Sequence, residues 1–187
     1  MQLINITDRL YQIENILPNS LVTQLLELDW ASIPWRRGLK QETWPRRNLI
    51  TTNIQILEQV QQSIWDQIPI IETQCNIEFA IKYPPTQWWI DEPGFDVDIH
   101  TDGELPGAIQ LFWFGAGPEW GTVFYNSKQP TDILYQFPFR ANTGYMMLNG
   151  ANSDGSQPLQ WHGMLNKVPQ NTYRVTSYTN LSSYHAK

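Results

Sequence analysis

From Asn76 to the C-terminus the chain breaks into short apolar or alternating runs, each cut off by Gly, Pro, Asn or Asp. Runs this short, with this punctuation, predict strands rather than helices. They fall at Ile77–Tyr83, Phe95–His100, Ala108–Phe114, Thr122–Tyr125, Ile133–Phe137, Tyr145–Leu148, Leu159–Met164 and Tyr173–Asn180. A series of short strands spaced in this way suggests a jelly roll or barrel. Nine Trp, eight Tyr and seven Phe, with recurring Thr, Ile and Val and little Ala, point the same way.

The first 75 residues read differently. Leu10 to Ile16 alternates like a strand, and Pro18-Asn19-Ser20 then supplies a helix start, with Leu21, Val22, Leu25 and Leu26 on one face. A second helix is expected from Ile56 to Ile68, where Leu57, Val60 and Ile64 recur at helical steps and Pro69 stops the pattern. The expectation is a single domain over 1–187, mainly β (α+β). Residues 1–75 form a helical and strand layer that covers one face of a β core at 76–187.

A net charge of −6 excludes a general polyanion binder, so nucleic acid is not an expected partner. No apolar run approaches the length of a membrane span. The single Cys75 cannot form an internal disulfide, and no basic region followed by an apolar one opens the chain, so a reducing cytoplasm is expected. Nothing in the pattern specifies an oligomeric state. Five of the twelve basic residues, Arg36, Arg37, Lys40, Arg46 and Arg47, cluster in one stretch flanked by Trp35 and Trp44. Two readings are open: a solvated loop whose Trp side chains pack inward, or a patch for an acidic or extended substrate.

Candidate chemistry lies in three groups in order. In Phe95–Asp102 a strand would place Asp96, Asp98, His100 and Asp102 on one face, a costly arrangement unless water or a cation sits there. Alone, such a strand is also a polar edge that resists self-association. His162, about sixty positions later between apolar neighbours, is on its own as readable as a hydrogen-bonded core residue. Arg174 and Thr176 share a strand face and together offer a guanidinium fork and a hydroxyl to an anion. Two imidazoles and a carboxylate suit one face of an octahedral Fe(II) and leave positions open for a co-substrate and O2. The third histidine, His185, lies near the C-terminus, where fraying is expected.

The ordered set His100-x-Asp102, His162 and Arg174-x-Thr176 resembles the 2-oxoglutarate- and Fe(II)-dependent dioxygenases, most closely their prolyl-4-hydroxylase-like branch. Ala108–Phe114, Gly121-Thr122-Val123-Phe124, Gly144–Asn149 and Trp161-His162-Gly163 extend the resemblance over roughly Tyr83 to Leu181. It implies a double-stranded β-helix of the jelly-roll, cupin-like kind, with Fe(II) held by His100, Asp102 and His162. It further implies 2-oxoglutarate held by Arg174 and Thr176, with Tyr83 in its pocket. O2 is the oxidant, and decarboxylation of 2-oxoglutarate to succinate and CO2 drives hydroxylation of a substrate.

The chain departs from the branch at Trp113, where several relatives carry Tyr, and at Arg174, which replaces a common Lys. It also has a longer segment Thr86 to Pro93. Gln87, Trp88, Trp89 and Trp113, with the Arg36–Arg47 loop, are the candidate substrate contacts, and Gln87-Trp88-Trp89 is expected as a mobile loop over the pocket. The substrate is a small molecule, peptide or protein, with peptidyl proline suggested by the branch. Two alternatives are a jelly-roll binding module without turnover and a cupin-like enzyme that uses its metal as a Lewis acid.

Overall fold

The computed structural model describes residues 1–36, 45–49, 54–103, 105–115, 117–149 and 160–187. Thirteen strands and two α-helices are formed among them: β1 (Gln2–Thr7), β2 (Leu10–Glu14), α1 (Asn19–Glu27), β3 (Trp35–Arg36), β4 (Arg46–Leu49), α2 (Gln55–Cys75), β5 (Ile77–Phe79), β6 (Thr86–Asp91), β7 (Gly107–Phe114), β8 (Val123–Tyr125), β9 (Ile133–Gln136), β10 (Thr143–Leu148), β11 (Trp161–Gly163), β12 (Arg174–Leu181) and β13 (Tyr184–Ala186). An eight-stranded sheet runs β1-β2-β10-β7-β12-β6-β4-β3, and a small sheet runs β11-β8-β9. All pairings are antiparallel.

The central strands are buried on both faces, and their alternation divides the side chains between two cores. On β7, Ile109, Leu111 and Trp113 join Val60, Ile64, Ile68 and Ile71 of α2 in one cluster. Ala108 and Phe112 turn the other way and meet Phe124 and Phe137, with Tyr145 and Met147 of β10. The second cluster fills the space between the large and small sheets, which makes this a double-stranded β-helix with the helices packed outside it.

Several expected boundaries move. α2 does not stop at Pro69 but continues to Cys75, because the turn beyond it buries Ile71 in the core. The helix ends instead where Asn76 adopts φ 53°, a left-handed cap. On α1 only Leu25 is buried; Leu26 faces solvent. Phe95 to His100 is irregular, with a single bridge between His100 and His162 in place of the expected strand. His185 does not fray: it lies in β13, paired with β5. Leu159, Arg37, Lys40 and Trp44 lie outside the described residues. No helix among the described residues is long and apolar enough to cross a membrane.

Candidate metal centre and its cavity

The irregular segment before His100 packs on β11 instead of extending the large sheet. His100 N–H donates to the His162 carbonyl at 2.9 Å and His162 N–H to the His100 carbonyl at 2.8 Å, so the two histidines sit directly opposite. Gly163 permits this approach, since a Cβ there would lie 2.8 Å from the Val97 carbonyl oxygen. Asp102 completes the group: His100, Asp102 and His162 each offer one ligand atom, all within 4.8 Å of one another.

The histidines are oriented for a cation. His100 Nδ1 is 2.8 Å from the Asp98 carbonyl oxygen and His162 Nδ1 is 2.9 Å from that of Gln160. A carbonyl only accepts, so in the neutral rings Nδ1 carries the proton and the Nε2 lone pair is left for a ligand. The two Nε2 atoms lie 3.4 and 3.6 Å from Asp102 Oδ1. Tyr178 donates to the other oxygen, Oδ2, at 2.6 Å. Burial alone would raise the Asp102 carboxyl, but the imidazoles of His100 and His162 and the Tyr178 hydroxyl beside it outweigh that and hold it below the ordinary carboxylate range. Asp102 is therefore an anion whose Oδ1 faces both Nε2 atoms, where a metal would take the place of a proton shared between them.

Behind this group a cavity of about 320 Å³ extends between the sheets. Its far end is cationic. Arg46 of β4, Asp91 of β6 and Arg174 of β12 occupy one row across three adjacent strands, since Asp91 pairs in register with both arginines. Arg46 Nε and Nη2 donate to Asp91 Oδ1 and Oδ2 at 2.5 and 3.1 Å, and Arg174 Nε donates to Oδ2 at 2.6 Å. Arg174 also donates to the Trp120 carbonyl. Burial would raise the Asp91 carboxyl, but the two guanidiniums hold it below its usual range. Arginine stays protonated, so the row holds two cations and one anion while Asp91 is 0% and Arg174 1% exposed. On the same face of β12 the Thr176 hydroxyl is buried and has no hydrogen-bond partner among the described residues. A surplus cation with an unpaired hydroxyl next to it is what a bound carboxylate would satisfy.

A scan against models of known protein families finds no match to this chain, and a search of curated proteins finds none either. Solved structures do match. A prolyl-4-hydroxylase of Pseudomonas putida superposes with a TM-score of 0.61 at 13% identity, covering 94% of this chain and 92% of that one. A viral collagen prolyl hydroxylase of Paramecium bursaria Chlorella virus-1, in complex with 2-oxoglutarate, gives 0.59 at 11% over 93% and 96%. HygX of Streptomyces hygroscopicus, with nickel and 2-oxoglutarate bound, gives 0.57 at 8% over 93% and 82%. The chain has the fold of the prolyl-4-hydroxylase-like 2-oxoglutarate oxygenases.

Within this fold the structure gathers some sequence candidates and scatters others. His100, Asp102, His162 and Arg174 line one cavity, with Gln87 and Trp89. Thr176 lies between Arg174 and Tyr178 on the same face of β12. Tyr83 does not reach the cavity: it is 69% exposed and stands edge-on against Trp65 of α2. The strand after it, β6, supplies the wall that Tyr83 was expected to supply. Trp88 and Trp113 are core residues, not substrate contacts. They stack at 5.8 Å between ring centroids on the helix side of the sheet, where Trp113 Nε1 donates to Ser177 Oγ at 2.8 Å.

The segment Thr86–Asp91 is no mobile loop but an inner strand, hydrogen-bonded to β4 and β12. Its alternation sends Gln87, Trp89 and Asp91 inward and Trp88 and Ile90 toward the helices. Asp96 pairs with Lys167 at the surface, and Asp98 is exposed, so neither carboxylate joins the metal group. In the basic stretch Arg46 is buried, with its Cζ 4.1 Å from the Trp89 ring centre and 4.2 Å from that of Phe95. That position is neither of the two expected for the stretch as a whole.

Sequence reasoning missed Asp91, Tyr178 and the inward turn of Arg46. An acid closing the apolar run Trp88-Trp89-Ile90 was the available signal for Asp91. Tyr178 also stacks on Trp89 at 4.9 Å, so removing its hydroxyl should leave the ring in place. Tyr178→Phe is expected to weaken Co(II) or Fe(II) binding roughly ten- to a hundredfold, because an unrestrained Oδ2 frees the carboxylate to rotate. Metal titration at fixed pH reads this directly. An unchanged affinity would show that the hydrogen bond does not orient Asp102.

Proposed function

We propose that the protein is a 2-oxoglutarate- and Fe(II)-dependent dioxygenase that hydroxylates an amino-acid, peptide or protein substrate, with peptidyl proline the first to test. The observation that carries this reading is the pairing of two sites in one cavity: a face of two Nε2 atoms and one carboxylate oxygen, and a cationic end at Arg46 and Arg174. A two-histidine, one-carboxylate face suits non-haem Fe(II). A dicarboxylate suits the rest, since one end would reach the metal face and the other the surplus charge beside Arg174. Fe(II) bound there would supply O2 activation, coupled to conversion of 2-oxoglutarate to succinate and CO2 with transfer of one oxygen atom to the substrate.

The chain's own residues have definable parts. His100, Asp102 and His162 would hold the metal, with Nδ1 bonds to backbone carbonyls fixing the rings and Tyr178 fixing the carboxylate. Arg174 and Thr176 would bind the far carboxylate of 2-oxoglutarate. Gln87 and Asn180 line the cavity near Tyr178, away from the Arg174 row, and are the polar side chains placed to meet a substrate. Two of the similar structures are prolyl hydroxylases, which supports the amino-acid or peptide class. Succinate release from 2-oxoglutarate with Fe(II), screened across proline-containing peptides and free amino acids, tests the reading. Stimulation by one member of the set is expected; metal binding with no succinate from any of them would favour a binding module instead.

A further inference from the structure

Arg46 is buried, and a buried arginine is an expensive way to fill space. It comes from the β3–β4 hairpin at the edge of the large sheet, yet its guanidinium turns inward and lines the same cavity as Arg174. Two aromatic faces, Trp89 and Phe95, and a bidentate contact to Asp91 fix its position. Asp91 alone would neutralise one arginine. It is shared by two, and Arg46 and Arg174 approach it from the strands on either side. The arrangement therefore holds two like charges side by side, with one anion between them, at one end of the cavity.

We propose that Arg46 is a second guanidinium for the far carboxylate of the dicarboxylate that Arg174 anchors, with Asp91 as the spacer holding both. The inference rests on the 2-oxoglutarate reading above and deepens it. One incoming carboxylate brings the row to two cations and two anions, so charge balance is reached only when the ligand is bound. The pair thereby selects for a ligand with a second acidic group: a 2-oxo acid without a far carboxylate leaves the surplus charge buried and unmatched. Arg46 is thus a specificity residue supplied by β4, outside the elements that carry the metal ligands.

The test is calorimetric binding of 2-oxoglutarate and of 2-oxobutyrate, which has the same chelating end and no far carboxylate, to the Ni(II)-loaded protein. Wild type should prefer 2-oxoglutarate strongly. Arg46→Met should lose roughly ten- to a hundredfold in 2-oxoglutarate affinity, the worth of a charge-assisted contact, while 2-oxobutyrate binding stays unchanged. Equal weakening of both ligands, or no weakening of either, overturns the proposal, because a merely structural arginine would not distinguish them. Arg46→Lys keeps a cation beside Asp91 should the Met variant not fold. It should show a smaller loss confined to 2-oxoglutarate, and wild-type affinities for both ligands would overturn the proposal equally. If wild-type protein binds Ni(II) but shows no preference for 2-oxoglutarate, the 2-oxoglutarate reading itself fails and this inference falls with it; a wild-type preference that survives in Arg46→Met removes the inference alone.

Discussion

His162→Ala is expected to abolish turnover and to weaken Fe(II) binding by more than the roughly hundredfold that loss of an outer-shell partner costs. His162 supplies one of only two imidazoles at the site, and its ring is held against Phe124 with centroids 5.2 Å apart. The β-core should survive, because the His100–His162 bridge is made by backbone atoms. Truncation of one buried ring should lower stability by about 1–3 kcal/mol. Metal titration and succinate release, measured beside thermal unfolding, separate the two effects. Near-native succinate production by the variant would show that His162 is a core histidine.

Arg174→Ala should separate anchoring from metal binding. Without it the far carboxylate of 2-oxoglutarate would be desolvated beside a single guanidinium, at a cost of roughly 3–5 kcal/mol, or about two to four decades of affinity. Asp91 keeps Arg46 as its partner, so the variant does not orphan a buried carboxylate. Fe(II) affinity measured without 2-oxoglutarate should stay close to wild type, since Arg174 bonds to Asp91 and to the Trp120 carbonyl, not to the metal group. Thr176→Val should act in the same direction with a smaller loss, about 1.5–3 kcal/mol for a hydrogen bond to a charged group. Unchanged 2-oxoglutarate binding in Arg174→Ala, or loss of iron as severe as in a ligand variant, would contradict the assignment.

The parts of this molecule legible in the sequence are those written in local pattern or in ordered spacing. β7 and β10 stand out as apolar runs, and His100, Asp102, His162 and Arg174 follow one another as the resemblance requires. β6 escaped because Trp88 and Trp89 are adjacent, large and apolar but face opposite sides of the sheet, Trp88 buried and Trp89 half-buried, so the pair breaks the period-two signal. Phe95 to His100 misled for the converse reason: its alternation is that of a strand, but the backbone bonds go to β11 only at isolated points. Pro69 was read as a stop because a local rule outweighed the packing of Ile71, which is decided by the sheet beneath the helix. The Arg46–Asp91–Arg174 row was hidden because its members are 45 and 83 positions apart, and only the pairing order of β4, β6 and β12 brings them together.

Metal and dicarboxylate are proposed to share this one cavity, and anaerobic addition of Fe(II) and then 2-oxoglutarate, followed by visible absorption, would show whether they do. The expected result is a charge-transfer band that requires both additions, is absent in His162→Ala, needs far more 2-oxoglutarate in Arg174→Ala, and decays when air is admitted. Tight Fe(II) binding with no band at any 2-oxoglutarate concentration would contradict it.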